Sequence, residues 1–144
     1  MSPKQKLFMV TLLIIGVHSL SLGSLIFFMT ESFYEFFFSS EVVNPFFVKQ
    51  AGLFLILMGF FYLVPLTHVE KLSRVAIVTI ITKVCAVVFL FTNAGYSPSP
   101  FMMYLAGCGD GVMAIALIIT YVLYTKEVAS DGVASDGVAA ELKP

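Results

Sequence analysis

The sequence predicts an all-α fold, a four-helix transmembrane bundle, and three observations carry that prediction. The 144 residues are 59% hydrophobic and only 12% charged, with a mean hydropathy of +0.98. Soluble domains carry about 25% charged residues, so this composition belongs to an integral membrane protein. Four apolar runs, at 7–29, 45–66, 72–92 and 101–124, each reach the roughly 20 residues that a helix needs to cross a bilayer. Finally, Lys83 and Asp110 lie near the middle of the last two runs, equally far from a connecting loop centred near Tyr96 and Ser97. In an antiparallel hairpin they meet at one depth, roughly 15 Å below the surface at a rise of about 1.5 Å per residue. A lone charge there costs about 2.5–3.5 kcal/mol on insertion scales. Opposed, each is the other's counter-ion.

The first run follows Lys4 and Lys6. Ser21, Leu22 and Gly23 loosely match a signal-peptide cleavage site, but the run continues through Met29. It is therefore read as the first span. The loop 30–44 interleaves Phe33, Tyr34, Phe36, Phe37 and Phe38 with Glu31, Glu35 and Glu41. Rings beside carboxylates suit the membrane–water boundary, so a short interfacial helix lying flat is expected. The same five rings, if exposed, would form an apolar docking surface for another protein. Asn44 and Pro45 read as an N-cap with proline in the first turn, opening the second span. His68, Lys71 and Arg74 mark a short basic turn before the third span, and Ser99 with Pro100 again reads as a helix start.

Basic residues set the topology. Lys4, Lys6, Lys71, Arg74, Lys126 and Lys143 fall on one side of a four-span chain, while the other side has Lys49 and three glutamates. The positive-inside rule then places both termini in the cytoplasm and the aromatic loop outside, as in a bacterial inner membrane. The transmembrane domain is thus 1–125, followed by a tail, 126–144, in which Val-Ala-Ser-Asp-Gly occurs twice in tandem from Val128 and Val133. Such a small, polar, glycine-punctuated segment is expected to be disordered or to order against a partner.

The candidate functional residues are few. Around Asp110, Gly107 and Gly111 have the GxxxG spacing that lets neighbouring backbones approach. Gly52 and Gly59, one heptad apart, share a face of the second span. Lys49 and Gln50 sit one turn nearer the outside. Lys49 snorkels outward or approaches Asp110, and two lysines on one carboxylate would make a less ordinary site than a simple pair. His18 lies near the centre of the first span and is read as a neutral histidine hydrogen-bonded in the bundle, with Asp110 as a candidate partner. An axial ligand to haem or pigment, and proton transfer, are the other chemistries open to it. Cys85 and Cys108 lie two residues from the charges, about 200° around their helices, so no bond between them is expected. No metal site is expected, no cofactor is implied, and a bound lipid, quinone or pigment is compatible with the residues. Nothing in the charge pattern suits nucleic acid.

Lys49-Gln50-x-Gly52, Gly59-x-x-Tyr62, the basic Lys83 and Gly109-Asp110 resemble the small four-helix bacterial membrane proteins of the DoxX-like type. The resemblance covers about 46–124. The name-giving members are similar to membrane subunits of a quinone-linked sulfur oxidation system, which implies a role as partner to other integral membrane subunits rather than as lone catalyst. The expected function is accordingly an accessory subunit of a larger membrane complex, respiratory, redox or otherwise energy-converting. The alternatives are a small enzyme or redox partner acting on a quinone or lipid, and a proton-coupled carrier.

Overall fold

The computed structural model describes residues 2–66 and 72–141, and they form five helices with no strand among them. The helices are α1 (Pro3–Phe28), α2 (Thr30–Phe38), α3 (Pro45–Leu63), α4 (Leu72–Asn93) and α5 (Pro100–Glu141). Four of them, α1, α3, α4 and α5, are long and apolar enough to cross a membrane. His68, Lys71 and Lys143 lie outside the described residues.

Local chemistry fixes the boundaries. The Ser2 hydroxyl accepts a hydrogen bond from the Gln5 N–H at 3.1 Å, and Pro3 occupies the first turn. At α3 the Asn44 carboxamide oxygen accepts from the Phe46 N–H at 3.1 Å, again with proline in the first turn. Both use the orphan N–H groups of a helix start and the proline that lacks one. α2 follows α1 after a single kinked residue, Met29, and the Thr30 hydroxyl donates to the Ile26 carbonyl at 2.7 Å across the kink. Ser39 ends α2 with φ of 51°, the left-handed conformation that closes many helices. α5 continues past the apolar run to Glu141, into the segment that the sequence marks as disordered or ordered against a partner.

The helices do not pack in sequence order. α1 lies most extensively against α3, α4 against α5, and α1 also against α5, whereas α3 and α4 scarcely touch. The order around the bundle is therefore α3, α1, α5, α4. Phe8, Leu12 and Ile15 of α1, Tyr62 of α3, Ala76 of α4 and Leu117 of α5 form the shared core. Phe8 packs between Tyr121 and Tyr124, with ring centroids at 5.9 and 5.2 Å. All these residues lie in the half of the bundle nearest the chain termini. The Ser2 hydroxyl donates to the Glu127 carboxylate, so the start of α1 and the far part of α5 share one end.

Away from that end, burial is confined to seams between pairs of helices. Along the α1–α3 seam, a Cβ on Gly23 would stand 2.8 Å from the Gly52 carbonyl oxygen. One on Gly59 would stand 2.9 Å from the Leu20 nitrogen. Backbone meets backbone, as small residues allow between apolar helices. Gly16 and Gly23 repeat on α1 the heptad of Gly52 and Gly59 on α3, the spacing that keeps one stripe facing an antiparallel neighbour. On the α4–α5 seam the Phe91 ring fills the place of a Gly107 side chain, with its nearest carbon 2.5 Å from an ideal Cβ. Gly111 has only Val87 at 3.8 Å, an ordinary contact, so the close approach expected of both glycines belongs to Gly107 alone.

Candidate functional site: a polar cluster at mid-bundle

α4 and α5 are joined by Lys83, at the midpoint of α4, and Asp110, in the third turn of α5, whose Nζ and Oδ1 are 2.5 Å apart. Lys83 is 6% exposed and the Asp110 side chain 16%. The loop of 94–99 is tight, with a 3₁₀ turn at Ala94–Tyr96 closed by a hydrogen bond from the Ser97 N–H to the Ala94 carbonyl. Equal lengths of helix on either side bring the two charges to one level. In a medium of low dielectric a direct contact of this kind is required, because either charge alone would face a large desolvation penalty.

α3 contributes Tyr62, which is 2% exposed. Its side chain leans toward the helix N-terminus, as helical side chains do, and so reaches from the core toward the middle of the bundle. There it lies beside the Thr82 hydroxyl and within electrostatic range of Asp110. Thr82 donates its own hydroxyl hydrogen to the Val78 carbonyl at 2.8 Å, which leaves its lone pairs free to accept. Tyr62 lay within the resembling Gly59-x-x-Tyr62 stretch, but apolar neighbours on both sides gave no separate signal for its role.

α1 brings His18 within electrostatic range of both Lys83 and Asp110, yet His18 is exposed and forms no hydrogen bond with another described residue. The expected bond to Asp110 is not made. Ile15 and Ser19 occupy the inward face of α1, and one residue turns the helix by about 100°, which carries the imidazole onto the flank. Lys49 and Gln50 are also exposed and stand apart from the pair. Lys83–Asp110 is the salt bridge among the described residues, and no second lysine competes for the carboxylate. The reason is the rotation of α3: its Gly52 and Gly59 face α1, and Lys49 lies in the first turns at the bundle's end.

The remaining candidates are spread over the surface. Of the five loop aromatics, Phe36 is 77% exposed, while Phe33, Tyr34, Phe37 and Phe38 are half-buried. Phe33 stacks on Phe37 at 4.5 Å and Tyr34 on Phe38 at 4.7 Å, the i,i+4 pairs of one helical turn. The five rings thus pair largely with each other instead of forming one open patch. Beside them Glu31, Glu35, Ser39, Ser40 and Glu41 line an open depression of about 480 Å³, far from the ion pair. Cys85 and Cys108 are free and exposed. Among the described residues, no three His, Cys, Asp or Glu side chains are grouped to hold a metal ion.

Compared with known proteins, the chain matches no protein-family model, no curated protein and no solved structure.

Proposed function

We propose that this protein is an accessory subunit of a larger complex in a bacterial inner membrane, with both chain ends cytoplasmic and other integral membrane proteins as its partners. The observation that carries the reading is the direct Lys83–Asp110 contact. Each charge answers the other, and helix register is the property that such a pair fixes. The low polarity of the rest of the bundle supports the same role, as does the scarcity of contact between α3 and α4, which leaves two helix faces open to neighbours. The resemblance of 46–124 to DoxX-like proteins points the same way. The basic residues Lys4, Lys6, Arg74 and Lys126, on the side of the four-span chain that holds both termini, support the orientation.

The test is gentle purification from native membrane through a tag on the C-terminal end, followed by native electrophoresis and identification of what travels with it. A defined larger assembly is expected, and it should persist in Lys83→Met with Asp110→Leu. A lone small oligomer would reject the subunit role.

A second reading is favoured by Tyr62 and Thr82 standing beside the pair. Here the cluster would serve a membrane enzyme or redox partner handling a quinone or lipid, or a proton-coupled carrier. The paired substitution separates the readings, because an assembled double variant that has lost activity would support the second.

A further inference from the structure

Five polar residues are buried among the described ones: Ser19, Thr30, Thr79, Lys83 and Thr120. The three threonines each donate to the carbonyl four residues earlier, those of Ile26, Val75 and Ala116, at 2.7, 2.7 and 2.9 Å. That is the usual way for a hydroxyl to be satisfied in an apolar setting. Ser19 does not do so. It is 2% exposed, and its hydroxyl bonds to no other described residue. It stands eleven residues along α1 from Phe8, as Asp110 stands eleven to fourteen back along α5 from Tyr121 and Tyr124 against which Phe8 packs, and so lies near the level of the ion pair on the inward face of α1.

Lys83 poses a related problem of number. An ammonium group has three N–H donors, and one of them goes to Asp110 Oδ1. No other bond to Lys83 is formed by a described residue, and the second oxygen of Asp110 likewise accepts none. A buried ion pair is stable only when its remaining donors and lone pairs are also met. One level of the bundle therefore gathers two N–H donors, a carboxylate oxygen, the Ser19 hydroxyl and, from the α3 side, the Tyr62 phenol.

We infer that this level of the bundle is a water-binding site, in which ordered water joins Lys83 and Asp110 to Ser19 and Tyr62. A buried water takes two to four polar partners, and these four residues come from all four long helices. The site makes the middle of the bundle wet while its outer faces stay apolar, and it couples α1 and α3 to the α4–α5 pair through solvent. This goes beyond the subunit reading and does not rest on it.

Radiolytic hydroxyl-radical labelling of the unaltered chain tests the site, since radicals form from water beside the side chain they oxidise. Tyr62 should oxidise at a rate approaching that of the exposed Tyr96, while the equally buried Phe8 stays unlabelled. In Lys83→Met with Asp110→Leu, the Tyr62 labelling should be lost. Tyr62 as silent as Phe8 in the unaltered chain would overturn the inference. A second measurement uses Ser19→Cys in a chain carrying Cys85→Ala and Cys108→Ala, treated with a water-borne thiosulfonate. A thiol reacts as thiolate, which forms where water solvates it, so modification should be at least about tenfold faster than for Val17→Cys on the outer face. Equal or slower modification of Ser19→Cys would also overturn it.

Discussion

The two main seams of the bundle, α1 against α3 and α4 against α5, reach the same end by opposite means. Along α1–α3 there is no charge at all, and the contact is backbone on backbone at Gly23 and Gly52 and again at Gly59 and Leu20. Along α4–α5 the helices are locked by Lys83 and Asp110, with Phe91 seated over Gly107. The difference concerns what each seam tolerates. At Gly23 and Gly52 the glycine seam fails when anything is added, because main-chain atoms stand nearest and cannot turn aside, whereas at Gly16 and Gly59 the nearest atoms are the Leu63 and Leu20 side chains. A charge seam fails when one member is removed, yet it can be rebuilt from two apolar residues of suitable size.

The contrast is broken most severely at the ion pair. Lys83→Met alone, or Asp110→Leu alone, should destabilise the bundle by about 3–5 kcal/mol, since it leaves an unpaired buried charge. Combining them should return most of that loss, and thermal unfolding in detergent measures both steps. A double variant no more stable than the singles would mean that the pair does more than hold register.

The next largest effect belongs to the glycines. Gly52→Ala should cost about 1–3 kcal/mol by overpacking, because its Cβ would stand 2.8 Å from the Phe27 nitrogen. Gly107→Ala should cost less, since the atoms it meets belong to the Phe91 ring, which is exposed and can rotate. Gly111→Ala should fall within about 0.5 kcal/mol of the parent, as its nearest neighbour is 3.8 Å away. A reversed ranking in the same unfolding assay would show that the seams are drawn wrongly.

The most local effect is expected at the chain start. Ser2→Ala removes both the cap on α1 and the bond to Glu127, and loss of a cap costs about 1 kcal/mol. Hydrogen exchange should rise at the first turn of α1 and near Glu127, with little change at the Gly23–Gly52 seam.

Several features were legible from the residues in order. The spans emerged from hydropathy, and the structure starts α3 at the Asn44–Pro45 signal. Equal counting from the loop gave the common depth of Lys83 and Asp110. The α1 half of the glycine seam is not legible in the same way, although Gly16 and Gly23 carry the same heptad as Gly52 and Gly59. A heptad on one helix has no meaning until its partner is known, and chain order pointed to α4 as the neighbour of α3. Tyr62, Ser19 and the sideways placement of His18 were hidden for a related reason: each depends on how its helix is rotated.

By itself, the sequence determined that this chain is helical, where its four long apolar helices lie, and at what level their charges sit. These are properties along one dimension, set by the length of apolar runs, by caps and by loop position. Only the tertiary structure decided that α1 rather than α4 covers α3, that Lys49 stays outside, and that Ser19 points where His18 does not. In a soluble helix a polar face announces the outside. Here the faces are apolar nearly all round, because lipid and protein interior ask for the same residues. Rotation and neighbour are then settled by close packing at a few small residues and by one ion pair.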